Sequence, residues 1–152
     1  MNWDEYFMDI ANSVSKKSHC LSHKFGAIAV RDGKFIVATG YNGPPIGYPH
    51  CEGEICPRRK IGYQSGQGLE ICPAAHAESN VLVEAARMGI PLNGCTLYAT
   101  SPIPCRECAK LIVNAGIIKI VVNNIHYPDI GLSGQMVLDK CGIPVQFMNC
   151  PK

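Results

Sequence analysis

No apolar run in the 152-residue chain approaches the roughly 18 residues that a membrane-crossing helix needs. The opening segment MNWDEYFMDI carries acids where an export signal would be basic and then apolar. Those absences point to a soluble, intracellular protein of the cytoplasm, or of the host cytoplasm if the source is a virus. Excess charge is also missing: 14 Lys and Arg stand against 12 Asp and Glu, a net +2, with no lysine run of the kind that tracks a nucleic-acid backbone. Neither a membrane nor polymeric nucleic acid is an expected partner. Internal repeats and low-complexity segments are absent too, and the length suits one domain, 1–152, around one core.

Cysteine, in contrast, is abundant, with nine residues. An odd number without an export signal argues against a disulfide framework and for thiolates that hold metal. Cys51, Cys56 and Cys72 fall in a Gly- and Pro-rich loop, and Cys105 and Cys108 form a CxxC pair. Cys95, Cys141 and Cys150 stand apart and read as small buried hydrophobes.

Apolar residues Tyr6, Phe7, Ile10, Ala11 and Val14 recur at helical spacing, which predicts an amphipathic helix over 2–17. Two β-branched runs, Phe25 to Val30 and Phe35 to Thr39, flank Asp32-Gly33 and predict a hairpin. A long loop from Tyr41 to Pro73 holds Pro44, Pro45, Pro49 and Pro57 and lacks periodicity, so something functional or anchoring is expected there. Pro73 is expected to open a helix running to about Met88, closed by Gly89. The strand Cys95 to Thr100, a helix opened by Pro104 and closed by Gly116, the strand Ile117 to Val122, the helix Leu132 to Lys140 and the strand Ile143 to Phe147 complete the reading. Alternation of helix and strand after an initial hairpin predicts a three-layer α/β/α sandwich with a five-stranded mixed sheet.

The stretch CPAAHAESN sets His76 and Glu78 two residues apart at the head of an apolar helix, although residues at i and i+2 do not share a helix face. A target beyond the helix end would occupy both. Cys105 and Cys108, at i and i+3, can reach one ion together, and a helix N-terminus favours the thiolate. His76, Cys105 and Cys108 make three ligands, the number of a catalytic zinc, whereas a structural site takes a fourth. Glu78 is then available as the base that acts on an activated water. A purely structural zinc would leave Glu78 without a task.

His-x-Glu followed by Pro-Cys-x-x-Cys is a signature of zinc-dependent deaminases. With it, the segments GAIAVRDGKFIVATGYNGPP, HCEGEICPRR, ICPAAHAES and NAGIIKIVVNNIHYPDIGLSGQMVLDKCGIPV make the chain resemble the cytidine deaminase superfamily nearly end to end. The GYNGPPIG segment makes it most similar to the deoxycytidylate (dCMP) deaminases within it. The resemblance implies hydrolytic deamination of dCMP to dUMP and ammonia, upstream of thymidylate synthesis. It assigns zinc to His76, Cys105 and Cys108 and proton transfer to Glu78. It implies that Asn42 bonds the sugar and that Ala77, Thr100 and Ser101 read the base edge. Tyr127 is placed to cover the site, and Lys24, Arg58 and Arg59 are the cations available for a phosphate or an effector. A second, structural zinc on Cys20, Cys51, Cys56 and Cys72, with His50 as an alternative ligand, is the further implication. So are a homohexamer, activation by dCTP, inhibition by dTTP, and Mg2+ accompanying the triphosphate. The competing readings are a deaminase of tRNA adenosine or of a riboflavin precursor, and a nucleotide sensor without turnover. The absence of a basic face weighs against a tRNA enzyme, and the intact Glu78 weighs against the sensor.

Overall fold

A computed structural model describes residues 1–51, 53, 55–64, 66–125 and 131–150. The first helix, α1 (Trp3–Ser15), is set by a capping box: the Asn2 side chain accepts from the Glu5 N–H while the Glu5 carboxylate accepts from the Asn2 N–H, both at 2.9 Å. The hairpin follows as β1 (Gly26–Arg31) and β2 (Phe35–Tyr41). Its turn falls on the expected pair, with Asp32 at φ 54° and Gly33 at φ 66°, a left-handed pairing that matches strand twist. The loop after β2 is less bare than its sequence suggests. It contains the short helix α2 (Pro57–Lys60) and a 3-10 turn, Leu69–Ile71.

Beyond the loop come α3 (Ala77–Met88), β3 (Thr96–Ala99), α4 (Arg106–Asn114), β4 (Lys119–Asn123), α5 (Gly134–Lys140) and β5 (Val145–Met148). The sheet order is β2-β1-β3-β4-β5. β1 runs antiparallel to both of its neighbours, and β3, β4 and β5 run parallel. Parallel strands need crossovers, and crossovers of one hand that progress in one direction place their helices on one face. The strands' period of two then divides the core. Ala27, Ala29, Leu97, Ala99, Ile120 and Val122 meet Val81, Ala85, Ala109, Ile112 and Leu138 of α3, α4 and α5. Ile28, Val30, Tyr98 and Val121 meet Phe7, Met8 and Ala11 of α1 on the other face. The result is the three-layer sandwich with its five-stranded mixed sheet.

Two predicted helix starts move. Pro73 lies outside α3, whose N-cap is His76, and the N-cap of α4 is Cys105 rather than a residue before Pro104. Pro73 and Pro104 instead hold the extended approach to each helix, a role that fixed φ serves equally well. Cys95 is fully buried, as expected of a small hydrophobe, but Cys141 is exposed, because the C-terminal cap of α5 turns it away from the core.

Candidate active site

His76 and Cys105 occupy the same position on two neighbouring helices. Each is an N-cap in extended backbone, with φ −73°, ψ 154° and φ −62°, ψ 163°. This resolves the i, i+2 spacing: His76 stands off the helix end while Glu78 sits in the first turn. Cys108, in the first turn of α4, donates its backbone N–H to the Cys105 sulfur at 3.5 Å. The His76 Nδ1 lies 3.5 Å from the Cys105 Sγ and 3.5 Å from the Cys108 Sγ. All three ligand atoms fall within 4.8 Å of one another, and no other such group of three occurs among the described residues.

Tetrahedral bonds of about 2.3 Å to sulfur and 2.0 Å to nitrogen put the ligand atoms roughly 3.5 Å apart. The observed separations therefore fit zinc. Two glycines bring the helix ends to this depth. A Cβ on Gly40 of β2 would lie 2.6 Å from the Val81 nitrogen and 2.7 Å from the Ala77 oxygen, inside the first turns of α3. A Cβ on Gly134, the first residue of α5, would overlap the Pro104 carbonyl just before the CxxC turn. Neither glycine stands out in the sequence, because close approach to a distant backbone leaves no local pattern.

Glu78 is buried, and the Ser101 hydroxyl donates a very short hydrogen bond to its Oε1. Burial pushes its carboxyl above the usual range, against the opposing pull of the Ser101 hydrogen bond. The two thiols share a proton: the hydrogen bond from Cys108 holds Cys105 down, to about 4, and the same contact drives Cys108 up. The pair thus loses its first proton readily, and a thiolate is the form that binds metal.

A cavity of about 180 Å³ opens over these groups. Its lining includes His23, Phe25, Asn42, Arg58, Ala77, Glu78 and Ser101. Asn42 is buried, and its amide is fully engaged: Oδ1 accepts from the Phe25 N–H and Nδ2 donates to the His23 carbonyl, both at 2.8 Å. The GYNG loop is tied to the approach of α3 by a two-way backbone bridge between Gly43 and Ala75. Thr100 is buried behind the wall, accepting from the Gly26 N–H at 3.0 Å, and is not part of the lining. Of the three cations, Arg58 alone lines this cavity. Lys24 is exposed beside a separate cleft with Asn12, Asn123 and Asn149. Arg59 donates to the Ser22 hydroxyl at 3.2 Å and contacts the His23 ring at 3.2 Å. Tyr127 lies outside the described residues.

Cys20, Cys51, Cys56 and Cys72 are neighbours, but among the described residues they form no group as tight as His76, Cys105 and Cys108. Burial raises Cys51 first, and then the proximity of Cys72, Cys20 and Cys56 raises it further. His50 stacks on His19, with ring centroids 4.4 Å apart.

The family described as the cytidine and deoxycytidylate deaminase zinc-binding region matches residues 1–124. The chain belongs to that family. It is 41% identical over 125 residues to the deoxycytidylate deaminase of Mycobacterium phage D29, covering 79% of this chain and 93% of that protein. It is 37% identical over 128 residues to the deoxycytidylate deaminase of Schizosaccharomyces pombe, covering 84% of this chain but only 39% of that one. The fold is similar to a crystal structure of dCMP deaminase from the cyanophage S-TIM5 in complex with dCMP and dUMP, with a TM-score of 0.74, 33% identity and 95% of each chain covered. These family members share the deaminase zinc-binding region within which His76, Glu78, Cys105 and Cys108 fall.

Proposed function

We propose that the chain catalyses the hydrolytic deamination of dCMP to dUMP and ammonia. One observation carries this reading: a buried carboxyl, Glu78, faces the same small cavity as a three-ligand centre that fits zinc. A zinc ion held by His76, Cys105 and Cys108 supplies the acidification of water to a pKa of about 7. Glu78 receives the water's first proton and passes it to N3 of the pyrimidine, then takes the remaining proton of the hydroxyl added at C4 and delivers it to the departing amine. A carboxyl whose pKa is raised by burial suits both halves of that task. Ser101 holds Glu78 in place, so its contribution to base reading is indirect. The Ala77 backbone, at the cavity wall, is positioned for the base edge, and Asn42 places the sugar through the wall that it braces. The phage relative of comparable length and the dCMP and dUMP bound to the cyanophage protein support the choice of substrate.

The finer parts of the reading rest on the resemblance. Cys20, Cys51, Cys56 and Cys72, or His50 in place of one thiol, hold a second zinc that anchors the loop, and metal analysis then finds about two zinc atoms per chain. One zinc per fully active chain would remove that second site. Exposed Ile46, Tyr48, Ile61 and Leu69 on the same loop favour a homo-oligomer, with a hexamer the family's form. dCTP with Mg2+ as activator and dTTP as inhibitor complete the proposal.

Ammonia release tests the substrate directly. dCMP is expected to be turned over in strong preference to deoxycytidine, and a cytosine-containing oligonucleotide should not compete. Equal rates on the nucleotide and the nucleoside would make the chain a nucleoside deaminase instead.

A further inference from the structure

Arg58 is 7% exposed, and its Nε, fully enclosed, has no hydrogen-bond partner. Nη1 donates to the Gln67 carbonyl at 2.6 Å, which fixes the guanidinium without neutralising it. Among the described residues the only salt bridge is Lys110–Glu107, so none of their carboxylates pairs with Arg58. The Cys56 sulfur lies within hydrogen-bonding reach of the Arg58 side chain. Cys56 is not part of the cavity lining, whereas Arg58 is.

A buried cation is costly unless an anion lies close by, and a thiol is a weak partner that leaves room for an anionic ligand. The cavity favours a particular anion. Its wall is mainly apolar, it holds the deaminase centre at one end, and Arg58 is the only Lys or Arg in it. Burial first, and then the charges of Arg59 and Arg58, hold the His23 ring down, which places Arg58 near that ring in the cavity wall. A nucleoside monophosphate has its reacting ring and its phosphate at opposite ends of one short molecule. We infer that Arg58 is the residue that selects the substrate's phosphate, through the part of its side chain that lines the cavity, with its charge balanced by the dianion. Arg59 is committed to Ser22 and His23 and braces the wall, and Lys24 faces another cleft. The inference rests on the dCMP reading and deepens it. It also gives the cysteine-rich loop a task at the active site, since α2 presents Arg58 one residue after Pro57 and two after Cys56.

The test compares wild type, Arg58→Met and Arg58→Lys on dCMP and deoxycytidine, together with calorimetric binding of dUMP and deoxyuridine. A charge-assisted hydrogen bond to phosphate predicts that Arg58→Met loses roughly 10- to 100-fold in kcat/KM for dCMP, mostly through KM. The deoxycytidine rate should stay within about twofold, so that selectivity collapses. dUMP affinity should fall in parallel while deoxyuridine affinity holds. Arg58→Lys keeps the charge without the planar fork and should recover part of the loss. If Arg58→Met fails to fold, the lysine variant carries the test alone, through a reduced dCMP to deoxycytidine ratio. An unchanged ratio in a folded variant overturns the role of Arg58 and leaves the dCMP reading standing. A wild type that does not prefer dCMP overturns both.

Discussion

Asn42 bonds the backbone on both sides of Lys24 with the two ends of one amide, and so holds Phe25 and His23 at the cavity edge. Its own carbonyl accepts from the Ser18 hydroxyl at 2.7 Å, so three segments meet at one buried residue. Asn42→Ala should therefore cost about 1–3 kcal/mol in denaturant unfolding, because a buried N–H and a buried C=O each lose a partner. A variant as stable as wild type but weaker for substrate would show instead that the amide serves the sugar alone. The motif GYNG marks Asn42 as important in the sequence, and His76, Glu78, Cys105 and Cys108 are legible from spacing alone. What spacing cannot supply is the direction of a side chain. Thr100 and Ser101 are adjacent in sequence, yet just past the end of β3 one meets the Gly26 backbone and the other Glu78. Arg58 and Arg59 are equally basic in the sequence, and only the turn of α2 separates the cation in the cavity from the one that braces its wall.

Helix ends, more than helix faces, build this site, because α3 and α4 each offer a ligand at the N-cap and a second functional group in the first turn. Their helical character follows from apolar spacing, but their starting residues do not, since proline is equally suited to the extended approach. The depth of each end depends on Gly40 and Gly134. Gly134→Ala should push the Pro104–Cys105 peptide away from α5 and weaken zinc binding in a chelator competition while the far-UV spectrum stays native. Unchanged zinc affinity would mean that α5 yields rather than the ligand turn. On the opposite face of the sheet, Asp4 ties α1 down by accepting from the Tyr98 hydroxyl at 2.7 Å and the Gln146 amide at 2.9 Å. Burial works to raise this carboxyl, but those two hydrogen bonds and the nearby Lys119 charge lower it below its usual 3.8. A depressed acid contributes stability above its unfolded pKa and loses it as pH falls through the folded value. Wild type should thus lose stability as pH drops below about 4, and Asp4→Asn should flatten that limb of the pH profile. A parallel acid limb in the variant would assign the loss to other carboxylates.

At the scale of the whole molecule, the sheet carries the site without lining most of it. The cavity draws on residues from Cys20 to Phe25, Asn42, the loop from Arg58 to Ala74, the head of α3 and the segment Ser101 to Cys105. Strand order was open to the sequence reading only in part. Helix and strand alternation implies the parallel set β3, β4 and β5, whereas the insertion of β1 between β2 and β3 is a long-range pairing with no local signal. That insertion places Gly26 beside Thr100 and brings the hairpin to the mouth of the cavity. The long loop then supplies Arg58, Gly66, Leu69, Cys72 and Ala74 to the cavity lining. Across all of this, the central claim is a division of labour, in which three residues hold the metal and a fourth, not itself a ligand, moves the proton. Zinc content and dCMP turnover measured on the same preparations of wild type and Glu78→Gln address it directly. The zinc content of the variant should equal that of wild type while turnover falls by at least ~10²–10⁴, the contribution of general acid-base catalysis. Zinc lost in step with activity would make Glu78 a ligand and contradict the account.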